Sequence, residues 1–89
     1  MAWKIEFASV ADKELGKIDP QVRRRILRFL SDRVAVLEDP RSIGDALAGA
    51  EFGEYWKYRV GDYRIIANID DNKITINVVK IGNRKEVYR

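Results

Sequence analysis

Cysteine and histidine are both missing from this sequence of 89 residues. Without cysteine there is no disulfide, and without either residue a transition-metal site loses its usual nitrogen and sulfur ligands. The missing histidine removes the side chain that most often moves protons near neutral pH. Acid–base chemistry must then fall to Lys, Arg, Tyr, Asp or Glu. No apolar run is long enough to span a bilayer. Charged residues at Lys4 and Glu6 interrupt any signal-peptide pattern. Cysteine usage leaves the compartment open and allows a cytoplasmic setting; no membrane partner and no cofactor are expected. Repeats, low-complexity tracts and linkers are also lacking, so residues 1–89 read as one small domain with a thin core.

What is present is unevenly charged. The net charge is +3. Residues 1–54 hold 9 basic and 10 acidic side chains, whereas residues 55–89 hold 8 basic and 4 acidic ones. Positive charge concentrated in the last third is a footprint for a polyanion such as nucleic acid.

Hydrophobic periodicity supplies the elements. Trp3 to Phe7 alternates apolar and polar and reads as a strand. Ser9, with Asp12 three residues on, reads as a helix N-cap, and Ala11, Leu15 and Ile18 form the inward face of a short helix. Asp19-Pro20 starts a second helix. Its stripe is Val22, Ile26, Phe29/Leu30, Val34 and Leu37, and Asp39-Pro40 stops it. Arg23, Arg24, Arg25 and Arg28 fall mostly outside that stripe and read as a solvated face. Residues 41–53 read as one long connection. From there the period becomes two, with strands at 54–60, 63–70 and 73–81 joined by two-residue turns at Gly61-Asp62 and Asp71-Asn72. The fold class is α+β in the order β-α-α-β-β-β, an antiparallel sheet with a helical hairpin packed on one face.

Alternation sorts the strands onto two faces. Trp56, Tyr58, Val60, Tyr63, Ile65, Ala67, Ile69, Ile74, Ile76 and Val78 should meet the helices. Tyr55, Lys57, Arg59, Arg64, Ile66, Asn68, Thr75, Asn77, Val79 and Ile81 should lie on the other face. The turn at Gly61-Asp62 sets Arg59 directly opposite Arg64, with Lys57 beside them. Like charges across a strand pair are destabilising, and proteins keep such conflicts mostly at functional sites. A phosphate between these side chains converts the repulsion into charge-assisted hydrogen bonds. If the C-terminal stretch folds back over this face, Arg84 and Tyr88 join the group, and stacking on a base plus clamping a phosphate is how RNA is held without base-pair readout.

Several motifs together resemble the RelE-type toxins of the RelE/ParE toxin–antitoxin superfamily: DPR at 39–41, DALAG at 45–49, YWKYRVGDYRII at 55–66 and VVKIGNRKEVYR at 78–89. The resemblance covers nearly the whole chain. It implies a RelE-like microbial-RNase-type fold and a metal-independent endoribonuclease that cuts messenger RNA in the ribosomal A site. It also implies a cognate RelB-like antitoxin, with operator DNA bound only through the toxin–antitoxin complex. Matching the family's pattern residue by residue makes Lys57, Arg64, Arg84 and Tyr88 the catalytic group. Tyr55, Arg59 and Lys85 become substrate-binding positions. Tyr55 stands where some members have a second Lys, and Asn83 where many have His. Whether Trp3 and the arginines of the second helix touch ribosomal RNA stays open.

The implied chemistry is attack of an RNA 2′-hydroxyl on its own 3′-phosphate, leaving a 2′,3′-cyclic phosphate and a free 5′-hydroxyl. Arg is always protonated, so Arg64 suits charge stabilisation and not proton abstraction. Lys57 is the candidate base, since Arg59 and Arg64 disfavour its charged form. Alternatively it stays charged and stabilises the transition state. Arg84 contacts the leaving side, and Tyr88 stacks on or orients a base. Two other functions share this pattern: a ParE-like DNA gyrase inhibitor, and a degenerate non-catalytic module that binds RNA or antitoxin.

Overall fold

The computed structural model describes residues 2–47 and 55–83. The described elements are β1 (Lys4–Phe7), α1 (Ser9–Gly16), α2 (Pro20–Phe29), β2 (Asp45–Ala46), β3 (Tyr55–Val60), β4 (Tyr63–Asp70) and β5 (Thr75–Asn83). They build a five-stranded sheet in the order β1-β5-β4-β3-β2. The expected α+β class holds, with a short extra strand, β2, and a correction to the sheet. β2 through β5 pair antiparallel, but β1 lies parallel to β5, from Lys4↔Thr75 to Phe7↔Val78. Alternation within β1 reports which residues face inward but carries no information on which way its neighbour runs. No helix among the described residues is long and apolar enough to cross a membrane.

Both helices lie on one face of the sheet. Ala11, Leu15 and Ile18 of the α1 segment and Ile26, Leu30 and Val34 of the α2 segment are buried against Tyr58, Val60, Ile65, Ala67, Ile76 and Val78. At α2 the Asp19 carboxylate accepts the Gln21 N–H at 3.0 Å and Pro20 occupies the first turn. At α1 the N-cap is Ala8, not Ser9, and no side chain caps it. Beyond Phe29 the helical path widens into a π-turn over Leu30–Val34, where the Ala35 N–H donates to the Leu30 carbonyl at 2.8 Å. The freed Ala35 carbonyl accepts the Trp3 N–H at 2.7 Å, which ties the entry to β1 to the end of this helix.

The segment expected as one long connection is more ordered in its described part. Pro40–Ile43 forms a 3-10 turn, started by the Asp39 carboxylate accepting the Arg41 N–H, and β2 then pairs with β3. A two-residue strand is too short to leave a periodic signal.

The β3–β4 register is the expected one: Val60↔Tyr63, Arg59↔Arg64 and Lys57↔Ile66. Gly61 adopts φ +58, which a side chain would strain. The β4–β5 turn differs. It spans four residues, 71–74, because the Asp70 carboxylate accepts the N–H groups of Asn72 and Lys73 and curls the chain. Ile74 therefore sits in the turn at φ 50 and is exposed, not in the core.

A β-bulge makes the second correction. Ile66 faces Lys80 but Ala67 faces Val78, so Val79 is the extra residue. Strict alternation puts Ile81 on the open face, whereas the bulge turns it inward, and it is 1% exposed in the core. β1 has ended by this point, so the Ile81 N–H has no strand beside it. The Glu14 carboxylate of α1 accepts it at 3.1 Å and also meets Lys80 Nζ at 3.5 Å. Glu14→Ala should cost about 1–3 kcal/mol by leaving this partly buried N–H without its acceptor. Glu14→Gln, which keeps an acceptor oxygen, should recover most of that in a thermal melt. Equal melting temperatures for wild type and Glu14→Ala would overturn the assignment.

Candidate RNA-cleavage site

The face of the sheet opposite the helices holds the expected basic group. Lys57 is half-buried on β3, between Ile66 of β4 and Asp45 of β2. Arg59 is exposed, directly opposite Arg64. Arg64 lies on the central strand β4, and on its other side stands Gly82, which adds no side chain to the space around it. The Arg64 side chain is almost wholly enclosed, at 3% exposure. A guanidinium taken out of water costs several kcal/mol before its partners offset it, and its planar fork suits phosphate recognition. Tyr55, half-buried, begins the same face opposite Asn68. Arg59, Gly61, Asp62, Tyr63 and Arg64 line a small hollow of about 140 Å³ at the hairpin tip.

Four of the seven expected site residues are thus on one face: Tyr55, Lys57, Arg59 and Arg64. Arg84, Lys85 and Tyr88 lie outside the described residues. Asp45 is the residue that pattern reading missed. It stands across from Lys57 in the ladder, where opposite charges are mutually stabilising. Its segment carried part of the family resemblance, but nothing in its composition announced a strand.

Tyr58 fixes the strand that carries Lys57 and Arg59. Its side chain points the other way, into the core, at 1% exposure. The hydroxyl donates to the Pro40 carbonyl at 2.7 Å, and Phe29 packs edge-on with ring centroids 6.2 Å apart. A Cβ at Gly44 would stand 3.0 Å from the Tyr58 ring, tighter than ordinary van der Waals contact, so a side chain there would press on the ring. Burial pushes the Tyr58 phenol up to about 12. Arg41, next to Pro40, bonds both Asp71 oxygens at 3.2 and 2.6 Å and Asp39 at 3.1 Å, joining this turn to the far end of the sheet. The hydrogen bond from Arg41 holds the Asp71 carboxyl below its ordinary value. The DPR segment is thus a brace behind the site, not part of it.

Known proteins share this fold. The family model described as the ParE toxin of type II toxin–antitoxin systems matches residues 5–88. The mRNA interferase toxin RelE of Escherichia coli is 33% identical over 90 residues, covering 99% of this chain and 92% of the relative. Among solved structures, the toxin–antitoxin complex RelBE2 of Mycobacterium tuberculosis superposes with a TM-score of 0.83 at 23% identity, covering 94% of this chain and 93% of the other. The intact E. coli RelBE toxin–antitoxin complex matches with a TM-score of 0.72 at 26% identity, covering 92% of this chain and 96% of the other. With its basic hairpin face, its helix-backed sheet and a match over nearly its full length, this chain belongs to the ParE toxin family of type II toxin–antitoxin systems and is a RelE-type member of it.

Proposed function

We propose that this chain is a ribosome-dependent endoribonuclease that cuts messenger RNA in the A site without a metal ion, and that a RelB-like antitoxin holds it inactive in the cytoplasm. The observation that carries the reading is the convergence of Lys57, Arg59 and an enclosed Arg64 on one face of the central hairpin. Positive charge fixed in a water-poor setting is worth most where negative charge develops, at the phosphorane formed during cleavage.

In the proposed reaction the 2′-oxygen forms a bond to phosphorus as the bond to the 5′-oxygen breaks. Lys57 takes the 2′-hydroxyl proton, or stays charged and offsets the growing negative charge. Arg64 holds the non-bridging oxygens. Arg84 donates toward the leaving 5′-oxygen, and Tyr88 stacks on the neighbouring base. Tyr55, Arg59 and Lys85 hold the strand. The ribosome contributes the in-line geometry, which is itself a large share of the acceleration. The partner reading is supported by the matched RelBE complex of E. coli, a toxin bound to its antitoxin.

The ParE description of the matching family favours one other reading, inhibition of DNA gyrase. Messenger RNA cleavage on programmed ribosomes separates them, with cut positions read by primer extension. Wild type should give discrete A-site cuts, and Arg84→Ala should lose them. A folded, antitoxin-free wild type that leaves the message intact but blocks supercoiling would move the assignment to gyrase.

A further inference from the structure

The arginines of α2 are not accounted for by the core or by the cleavage site. At about 100° per residue, Gln21, Arg24, Arg25 and Arg28 fall within one outward arc of the helix, whereas Arg23 points elsewhere. Gln21, Arg24, Arg25 and Arg28 line a shallow groove of about 320 Å³. Among the described residues none of these three arginines forms an ion pair. The ten residues of α2 include no acid; of the flanking acids, Asp19 accepts the Gln21 N–H, and Asp32, four residues after Arg28, accepts the Ser31 hydroxyl at 3.1 Å. Arg24 and Arg28 are one turn apart, where like charges destabilise a helix. The helix dipole favours Arg28, in the last turn, but accounts for neither Arg24 nor Arg25.

The patch is continuous with the cleavage site. Arg25 lies against the β3–β4 turn, its Nη1 and Nη2 at 3.8 and 3.9 Å from where a Gly61 Cβ would stand. Arg59 and Arg64 line the hollow on the other side of that same turn. Basic side chains therefore run from the open face, around the hairpin tip, onto the helix layer.

We propose that Arg24, Arg25 and Arg28 form a second RNA surface that grips the phosphodiester backbone of structured RNA away from the scissile bond. Guanidinium forks facing water match phosphate oxygens, and no apolar residue lines the groove to anchor a protein core contact. An apolar groove with Ile5, Phe7, Leu27 and Leu30 does border Arg24 and Arg28. An acidic polypeptide is the competing occupant there, but it leaves the Arg25 limb toward the hairpin unexplained.

The test is anisotropy titration of a fluorescent RNA duplex with the full chain and with Arg24→Gln/Arg25→Gln/Arg28→Gln over a range of salt. Three lost phosphate contacts should weaken binding at least tenfold and lower the log–log salt slope by about 3. Arg25→Gln alone, should the triple variant not fold, should lower it by about 1. An unchanged affinity and slope overturns the proposal. So does an outcome in which an acidic peptide, and not the duplex, loses affinity in the variant. Because the reading is binding, it stands apart from cleavage. A wild type that grips the duplex through α2 but cuts no message sinks the nuclease assignment alone.

Discussion

Arg64→Ala should slow messenger RNA cleavage by about two to three orders of magnitude, the usual cost of removing one fixed donor to a developing anion. The geometry explains why the effect is large. Arg64 is enclosed on the central strand, next to Gly82, whereas Arg59 across from it is exposed, so the two cations sit in different surroundings. Arg64→Lys keeps the charge but loses the planar fork, and should recover only a small part of the rate. Lys57→Ala should fall by a similar factor, whether Lys57 takes the proton or only offsets charge. The fold should survive in both cases, because neither side chain belongs to the helix-facing core. Single-turnover cleavage on programmed ribosomes, with circular dichroism melts in parallel, reads the two effects separately. An Arg64→Ala protein that is folded and cuts at the wild-type rate would falsify the site.

Much of the fold was legible because the periods are clean. Asp19-Pro20 started α2 as expected, and one tight turn, Gly61-Asp62, was enough to set the β3–β4 register and with it the facing pair Arg59 and Arg64. The misreadings share a cause. A bulge adds one residue without changing composition, so Val79 shifted everything after it and Ile81 was assigned to the wrong face. Ile74 looks like a strand residue by propensity, but the Asp70 carboxylate captures two backbone N–H groups and keeps the chain turning past it. Side chain–backbone competition of this kind is local, but a hydrophobic period does not encode it. Asp45 was missed because a two-residue strand exists only through its partner β3. In the site itself, alternation placed Tyr55, Lys57, Arg59 and Arg64 together. The roles of those residues came from the family pattern, since no spacing distinguishes a catalytic Lys from a solvated one.

Tyr58→Ala should be the most damaging single change in the core, at about 3–5 kcal/mol, out of a total stability of about 5–15 kcal/mol for a domain. The ring is wholly buried, packs on Phe29, and fills the space that Gly44 leaves open. Its loss leaves a cavity between α2, the Pro40 turn and β3, and the strand it fixes is the one bearing Lys57 and Arg59. Cleavage should therefore fall along with stability. Tyr58→Phe keeps the ring and loses only the hydrogen bond to the Pro40 carbonyl, at about 1 kcal/mol. The hydroxyl leaves a second signature. Burial holds the folded-state phenol at about 12, above an unfolded value of about 10. In that window the folded state keeps a proton that the unfolded state releases, so stability is complete below pH of about 10 and drains as pH rises toward about 12. The slope is about 1.4 kcal/mol per pH unit. Denaturant melts should show wild type ahead of Tyr58→Phe at neutral pH, and the two curves should converge and then cross as pH rises through this range. Parallel curves would mean that the Tyr58 hydroxyl is not held protonated by the core, and the brace between Pro40 and β3 would have to be redrawn.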